Sequence, residues 1–292
     1  MTDWNDLFSA IRAGHLAPYL GPGMTAMALE LQKLPQKSDD GQQGALGNSV
    51  PASTQELATF FSRNVALPRR ARGNPWASAQ YIESNKHRTT LIALMDRAFS
   101  PPVAPSPLHF ALVACAPRMI VDTWYDGIVR LALASTTAAD WGELQGTPRA
   151  GIGETSWYRA YDAQGDAVPV DRAQDWKTLL YKPHGAVSPA HHYLVADSDY
   201  VEVLTEIDIQ TPIPDIVRRN RTNMGFLFLG CRFDDQMLRS YARQILKRSA
   251  GPHYAIMSGG SLTRNEEHFL QDMQITMLDL PLVAPGYVGY CA

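Results

Sequence analysis

The chain has little cysteine. Its 292 residues contain three, Cys115, Cys231 and Cys291, widely separated and with no Cys-x-x-Cys pair. That spacing excludes a structural zinc module readable from sequence, and the odd count argues against a secreted disulfide scaffold. No apolar run approaches the roughly 18 residues that a membrane-spanning helix needs. The opening Met-Thr-Asp-Trp-Asn-Asp is acidic and polar, which predicts no secretory leader. Excess charge of one sign is also missing: the net charge is −3, which gives no electrostatic reason to expect nucleic acid or an anionic membrane surface as a partner. The clusters Arg69-Arg70-Ala71-Arg72 and Arg218-Arg219-Asn220-Arg221 are short and read as solvated faces. No internal repeat is visible. A cytoplasmic location is the expectation.

The hydrophobic share of 45% and charged share of 19% are those of a folded globular chain long enough to bury a sizeable core. Four short apolar runs end in polar or glycine-rich turns. Leu16–Leu20 runs into Gly21-Pro22-Gly23-Met24-Thr25, and Met119–Val121 into Asp122-Thr123-Trp124-Tyr125-Asp126. Leu179–Tyr181 runs into Lys182-Pro183-His184-Gly185, and Phe226–Leu229 into Gly230-Cys231-Arg232-Phe233-Asp234-Asp235. In an open parallel sheet, loops at the carboxyl ends of strands meet in one ligand-binding crevice.

Between these runs the pattern is mostly helical. Residues 3–13 read as an amphipathic helix capped by Asp3, and 24–33 as a second helix. Residues 34–52 lack periodicity and read as a long loop. Ser53-Thr54-Gln55-Glu56 is a capping box, and Asn74-Pro75 and Ser106-Pro107 each open a helix, so about 53–116 reads as a helical insertion. The helix after the second strand is expected to bury Ile128, Val129 and Leu131. Residues about 138–175 read as an irregular insertion with a hairpin near Gln164-Gly165. Short helices are expected at 197–204 and 212–220, and a helix from Asp234-Asp235 to about 247. Strands at His253–Met257 and Ile275–Leu280 flank a helix at Asn265–Met273. The alternation predicts an α/β fold, a doubly wound and mostly parallel Rossmann-like sheet, in a single domain spanning 1–292.

The glycine turn suits a phosphate, because glycine lets the backbone approach a diphosphate and a helix start offers N–H groups and a positive dipole end. A plain tight turn would use the same residues. His184 suits a proton-transfer role, although a buried histidine satisfied by backbone would look the same in sequence. His191-His192 have no metal-ligand partner spacing and read as surface, and Asp234-Asp235 most simply cap the helix that follows. No metal site is expected.

Taken in order, these motifs resemble the bacterial sirtuin-like domains. Gly21-Pro22-Gly23-Met24-Thr25 is similar to the family's Gly-Ala-Gly-x-Ser, and Asp122–Asp126 to its Thr-Thr-Asn-Tyr-Asp. Lys182-Pro183-His184-Gly185 matches Lys-x-His-Gly, Asp197-Ser198-Asp199-Tyr200 is similar to Thr-x-x-Asp-Tyr, and Phe226–Asp235 to Leu-Phe-Leu-Gly-Tyr-Ser-x-x-Asp. The resemblance runs from about 12 to about 280. It implies NAD as substrate or ligand, and in active members cleavage of the bond between nicotinamide and ribose. With water as acceptor the activity is NAD hydrolysis (NAD glycohydrolase), and with another acceptor ADP-ribosyl transfer. Deacetylation is not expected without the four-cysteine zinc module.

By the resemblance, His184 would be the general base and Asp126 its helper. Gly21, Gly23, Met24 and Thr25 would hold the diphosphate, with Thr123, Trp124 and Gly185 nearby and Gly230 and Cys231 on the adenosine side. Trp124 stands where active members place asparagine, and an indole cannot do an amide's work. It could stack on a ring of the ligand, fill the pocket, or only pack. Pro22 removes one N–H donor. The alternative is therefore a catalytically degenerate sensor or subunit that binds NAD or ADP-ribose without turnover. With no fused effector visible, a separate protein partner is expected to supply any trigger, and assembly into a homo-oligomer is left open.

Overall fold

The computed structural model describes residues 2–33, 49–136, 140–148, 156–206, 213–257 and 260–282. In chain order the elements are α1 (Trp4–Arg12), β1 (Leu16–Leu20), α2 (Gly23–Lys33), α3 (Thr54–Asn64), α4 (Pro75–Lys86), α5 (Arg88–Phe99), α6 (Pro107–Ala114), β2 (Met119–Asp122), α7 (Ile128–Ala134), β3 (Trp141–Gly146), β4 (Tyr158–Asp162) and β5 (Ala167–Val168). There follow β6 (Thr178–Lys182), β7 (Gly185–Ala186), β8 (His192–Tyr193), α8 (Asp197–Glu206), α9 (Asp215–Arg221), β9 (Gly225–Leu229), α10 (Gln236–Leu246), β10 (His253–Ile256), α11 (Arg264–Asp272) and β11 (Ile275–Met277). Short 3-10 turns lie at Arg69–Ala71 and Val170–Gln174.

Helix starts follow local chemistry. Asp3 accepts from the N–H groups of Asn5 (2.8 Å) and Asp6 (3.0 Å), while the Asp6 carboxylate accepts from Asp3 N–H, a closed capping box. Trp4, Leu7, Phe8 and Ile11 then fall on one buried stripe. Asn74 caps α4 through Ala77 N–H, and Asp235 caps α10 through Met237 N–H. At α3 the box closes one residue further back than the sequence suggests. Ser53 accepts from Glu56 N–H at 3.1 Å, but Glu56 accepts from Ala52 N–H at 2.7 Å.

Nine strands form one sheet in the order β11-β10-β9-β1-β2-β6-β3-β4-β5. Every neighbouring pair from β11 to β3 is parallel, and only β3–β4 and β4–β5 are antiparallel. The central strands β1, β2, β6 and β9 are buried along their whole length, as apolar strands covered on both faces should be. Tyr19, Val121, Tyr181 and Phe228 face one layer, which contains Val217 of α9, Tyr241 and Ile245 of α10 and Phe269 of α11. Leu20, Ile120, Leu180 and Leu229 face the other, with α1, α2, α6 and α7. A third apolar cluster joins α3, α4 and α5 to Trp124, Tyr125, Tyr193 and Tyr200. The α/β, mostly parallel, Rossmann-like reading of the sequence is the fold seen.

Two expectations are corrected. Residues 138–175 are not irregular where described: β3 lies inside the sheet, parallel to β6, and β4–β5 form the hairpin around Gln164-Gly165. The strand is hard to read because buried Glu143 and Gln145 interrupt its apolar residues Trp141 and Leu144. Glu143 pairs with Arg130 at 2.8 Å, and Gln145 donates to Glu143 and to Ser188 O, both at 2.6 Å. Gly142 is needed there, since a Cβ would sit 2.2 Å from the Trp176 ring. Leu131 was expected on the buried side of α7 and is 46% exposed, because that helix buries Ile128, Val129, Ala132 and Leu133 instead. Residues 34–48 of the expected loop at 34–52 lie outside the described residues.

Candidate functional site

Strand order reverses at β1, with β2 on one side and β9 on the other. The crevice outside the carboxyl ends at such a switch is where open α/β sheets bind ligands. All four motifs meet there: the turn after β1, the Asp122–Asp126 turn after β2, His184 after β6 and Gly230 after β9.

The glycine turn packs against the β9 turn, backbone to backbone. Gly21 N–H donates to Leu229 O at 3.0 Å and Gly23 N–H to Gly230 O at 2.8 Å. A Cβ on Gly21 would lie 2.7 Å from Cys231 Cα. Gly230 has φ +62°, and a Cβ there would lie 2.6 Å from Met24 N. Glycine is therefore required at both places for close approach. The Gly21 and Gly23 N–H groups already serve this contact, and Met24 N–H donates to Gly21 O at 3.1 Å. With those donors engaged, what remains is the dipole of α2, whose first residues Gly23, Met24 and Thr25 are buried.

Beside it lies a buried ionic centre. Lys182, at the end of β6, donates to Asp122 Oδ2 (2.7 Å), Trp124 O (2.5 Å) and Asp126 O (2.8 Å). Asp122 also accepts from Trp124 N–H at 3.1 Å. Burial still pushes the Asp122 carboxyl up to about 6, against the pull of Lys182. Asp126 accepts from the Thr25 hydroxyl at 2.5 Å and from Ile128 N–H at 3.0 Å, so it joins the glycine turn to the start of α7. Thr123 donates its hydroxyl to Leu20 O at 2.8 Å, which latches the β2 turn to β1. Asp126 also borders a cleft of about 420 Å³ that reaches Phe99, Arg130 and Ser188.

His184 is 2% exposed, and among the described residues neither ring nitrogen has a hydrogen-bond partner. Its ring lies against Tyr241 (centroids 4.6 Å apart) and Tyr200 (5.3 Å). Burial, reinforced by the Lys182 charge, lowers its pKa to about 3, so the imidazole is neutral at physiological pH. Gly185 follows at φ +76°, where a Cβ would lie 2.0 Å from His192 O across the β7–β8 pair.

Trp124 is 2% exposed and turns into the helical insertion. Its ring packs on Phe99 and Tyr125, and its Nε1–H donates to Pro51 O at 2.7 Å. Tyr125 donates to Leu194 O at 2.7 Å. Asp199 fastens the same region, accepting from Arg88 Nη1 and from the N–H groups of Val195 and Ala196. The Cys231 thiol points inward, toward Tyr19 O (3.5 Å), and burial pushes its pKa well up. Beyond it, Arg232 and Glu266 form a two-pronged pair at 2.7 and 2.8 Å, and Phe233 N–H donates to the same carboxylate. This pins the loop after β9 to α11.

The fold thus brings Thr25, Thr123, Asp126, His184, Gly185 and the glycines of both turns to one sheet edge, and sets the side chains of Trp124 and Cys231 into the cores behind it. Lys182, Tyr200 and Tyr241 were given no role in the sequence reading. The signal for Lys182 was its place two residues before His184; Tyr241 carried none, being one aromatic on an amphipathic helix.

No curated protein matches the chain. The SIR2-like domain family matches residues 118–278, a narrower span than the motif resemblance, taking in the β2, β6 and β9 turns and leaving the glycine turn outside. SIR2-like domains generally bind NAD. Since the match covers more than half of the chain, the protein belongs to the SIR2-like domain family.

Proposed function

We propose that this protein binds NAD at the carboxyl edge of the sheet and cleaves its nicotinamide–ribose bond with water, His184 serving as the base. The observation that carries the reading is the pair of unpartnered nitrogens on buried His184. An unsatisfied buried imidazole costs stability, and such groups in native proteins call for a functional explanation. A ribose hydroxyl or a water supplies the missing partner. A hydrated ligand also relieves the desolvation that depresses the imidazole's basicity, moving it toward the range useful for proton transfer.

Around that base, Asp126 and Thr25 hold the first and second turns in register, and Lys182 neutralises the carboxylate of Asp122. The dipole of α2, at Gly21, Gly23, Met24 and Thr25, favours the diphosphate. Thr123, Gly185 and Gly230 shape the edge, while Trp124 and Cys231 support it from behind. Hydrolysis would consume one water and release nicotinamide and ADP-ribose. Chromatography of the protein incubated with NAD tests this. Free nicotinamide accumulates with the wild type, and the rate falls by about 100-fold or more in His184→Ala. An equal rate in the variant removes His184 from the mechanism.

A second reading, binding of NAD or ADP-ribose without cleavage, is favoured by one observation: the side chain standing in the family's asparagine position is locked into the insertion through Pro51. Saturable binding with intact NAD after incubation selects it.

A further inference from the structure

A second cleft, of about 520 Å³, opens along α9 and the turn that precedes β6. It shares no lining residue with the glycine turn, the Asp122–Asp126 turn, His184 or the Gly230 turn. Four arginines line it: Arg218, Arg219, Arg221 and Arg248. The sequence reading placed three of them on a solvated face. Arg221 is instead 6% exposed.

One Arg221 nitrogen, Nη1, donates to Gln244 O (2.5 Å) and Ile245 O (3.4 Å) at the end of α10. Its Nε is buried and has no partner among the described residues. Arg218 pairs with Asp215, and its Nε is likewise buried without a partner. Arg219 and Arg248 are exposed and have no carboxylate partner among the described residues. Asp171 also lines the cleft. Once Asp215 is assigned to Arg218, three guanidinium groups face one carboxylate. Burial and the charges of Arg218 and Arg248 lower the pKa of Arg221, the direction expected where like charges crowd without compensation. Such crowding costs stability unless an anion joins it.

We infer that this cleft is a binding site for a small phosphorylated molecule of nucleotide size, separate from the strand-end site. Guanidinium forks match phosphate oxygens in geometry as well as charge. The concavity and volume suit a small ligand, being within the range of ordinary ligand pockets. Tyr158 on the cleft wall offers an aromatic edge to the non-phosphate part.

The test is calorimetric titration of the whole chain with inorganic pyrophosphate, and with ATP, at fixed ionic strength. Arg219→Glu/Arg248→Glu is the variant of choice, because both side chains are exposed and the fold does not depend on them; its thermal unfolding is measured alongside. The expected result is saturable binding of both probes by the wild type, and a loss of about tenfold or more in the variant at unchanged unfolding temperature. Tighter binding of ATP than of pyrophosphate would show that the wall reads more than phosphate. No saturable heat with either probe overturns the proposal, as does equal binding by the variant. Binding of a single-stranded oligonucleotide in place of both small probes also overturns it, in favour of a backbone-tracking face.

Discussion

His184 departs from what stability alone would select. A buried imidazole with two unpartnered nitrogens carries a penalty of about 1–3 kcal/mol relative to an apolar ring of similar shape. His184→Phe, packed on the same tyrosines, is therefore expected to raise stability at pH 7 by about 1 kcal/mol or more in urea unfolding. The pH dependence has a definite sign. Unfolded, the imidazole titrates near 6.5; folded, near 3. Between those values only the unfolded chain takes up the proton, so stability present at neutral pH is lost as pH falls below 6.5. His109, lowered to about 4 chiefly by burial, acts in the same direction. Asp122 opposes them: its carboxyl is raised from 3.8 to about 6, so the folded state holds the extra proton between those values. With His184→Phe, the stability lost between pH 7 and pH 5 should shrink by roughly 2 kcal/mol. An unchanged pH slope would mean that His184 is solvated or partnered in solution.

The elements show what the sequence could and could not convey. Strands β1, β2, β6 and β9 were legible because each is an unbroken apolar run ended by glycine or a charge. Helix starts were legible because Asp3, Ser53, Asn74, Ser106 and Asp235 carry their caps in the chain itself. Strand β3 was not, since its buried Glu143 and Gln145 find partners outside the strand in Arg130 and Ser188, which sequence does not pair with them. That the four motif turns follow strands of one sheet was legible and their packing was not: the residues of the β2 turn are adjacent in sequence, yet Asp126 faces Thr25 while Trp124 faces Pro51. That division bears on the asparagine position. If Trp124 is a strut between the sheet and the insertion, Trp124→Asn leaves a cavity among Phe99, Tyr125 and the α3–α5 core. It should cost about 3 kcal/mol or more, with no gain in NAD loss. A variant of wild-type stability that turns NAD over faster would contradict the strut and identify the tryptophan as a block on an otherwise competent site.

At the scale of the whole molecule, the strand-end turns and the arginine-lined cleft along α9 are distinct places with no lining residue in common. The first offers close-packed glycines and a neutral imidazole; the second offers four arginines. Among the described residues no helix is long and apolar enough to cross a membrane. At the strand-end turns, NAD is expected to supply the partner that the nitrogens of His184 lack. Isothermal titration of wild type and His184→Phe with NAD tests it most directly, because the variant is expected to be the more stable protein and so cannot fail through misfolding. The account predicts saturable binding by the wild type and a loss of about tenfold or more in His184→Phe, the equivalent of one to two lost hydrogen bonds. Equal affinities in the two proteins, or no binding by a folded wild type, would contradict it.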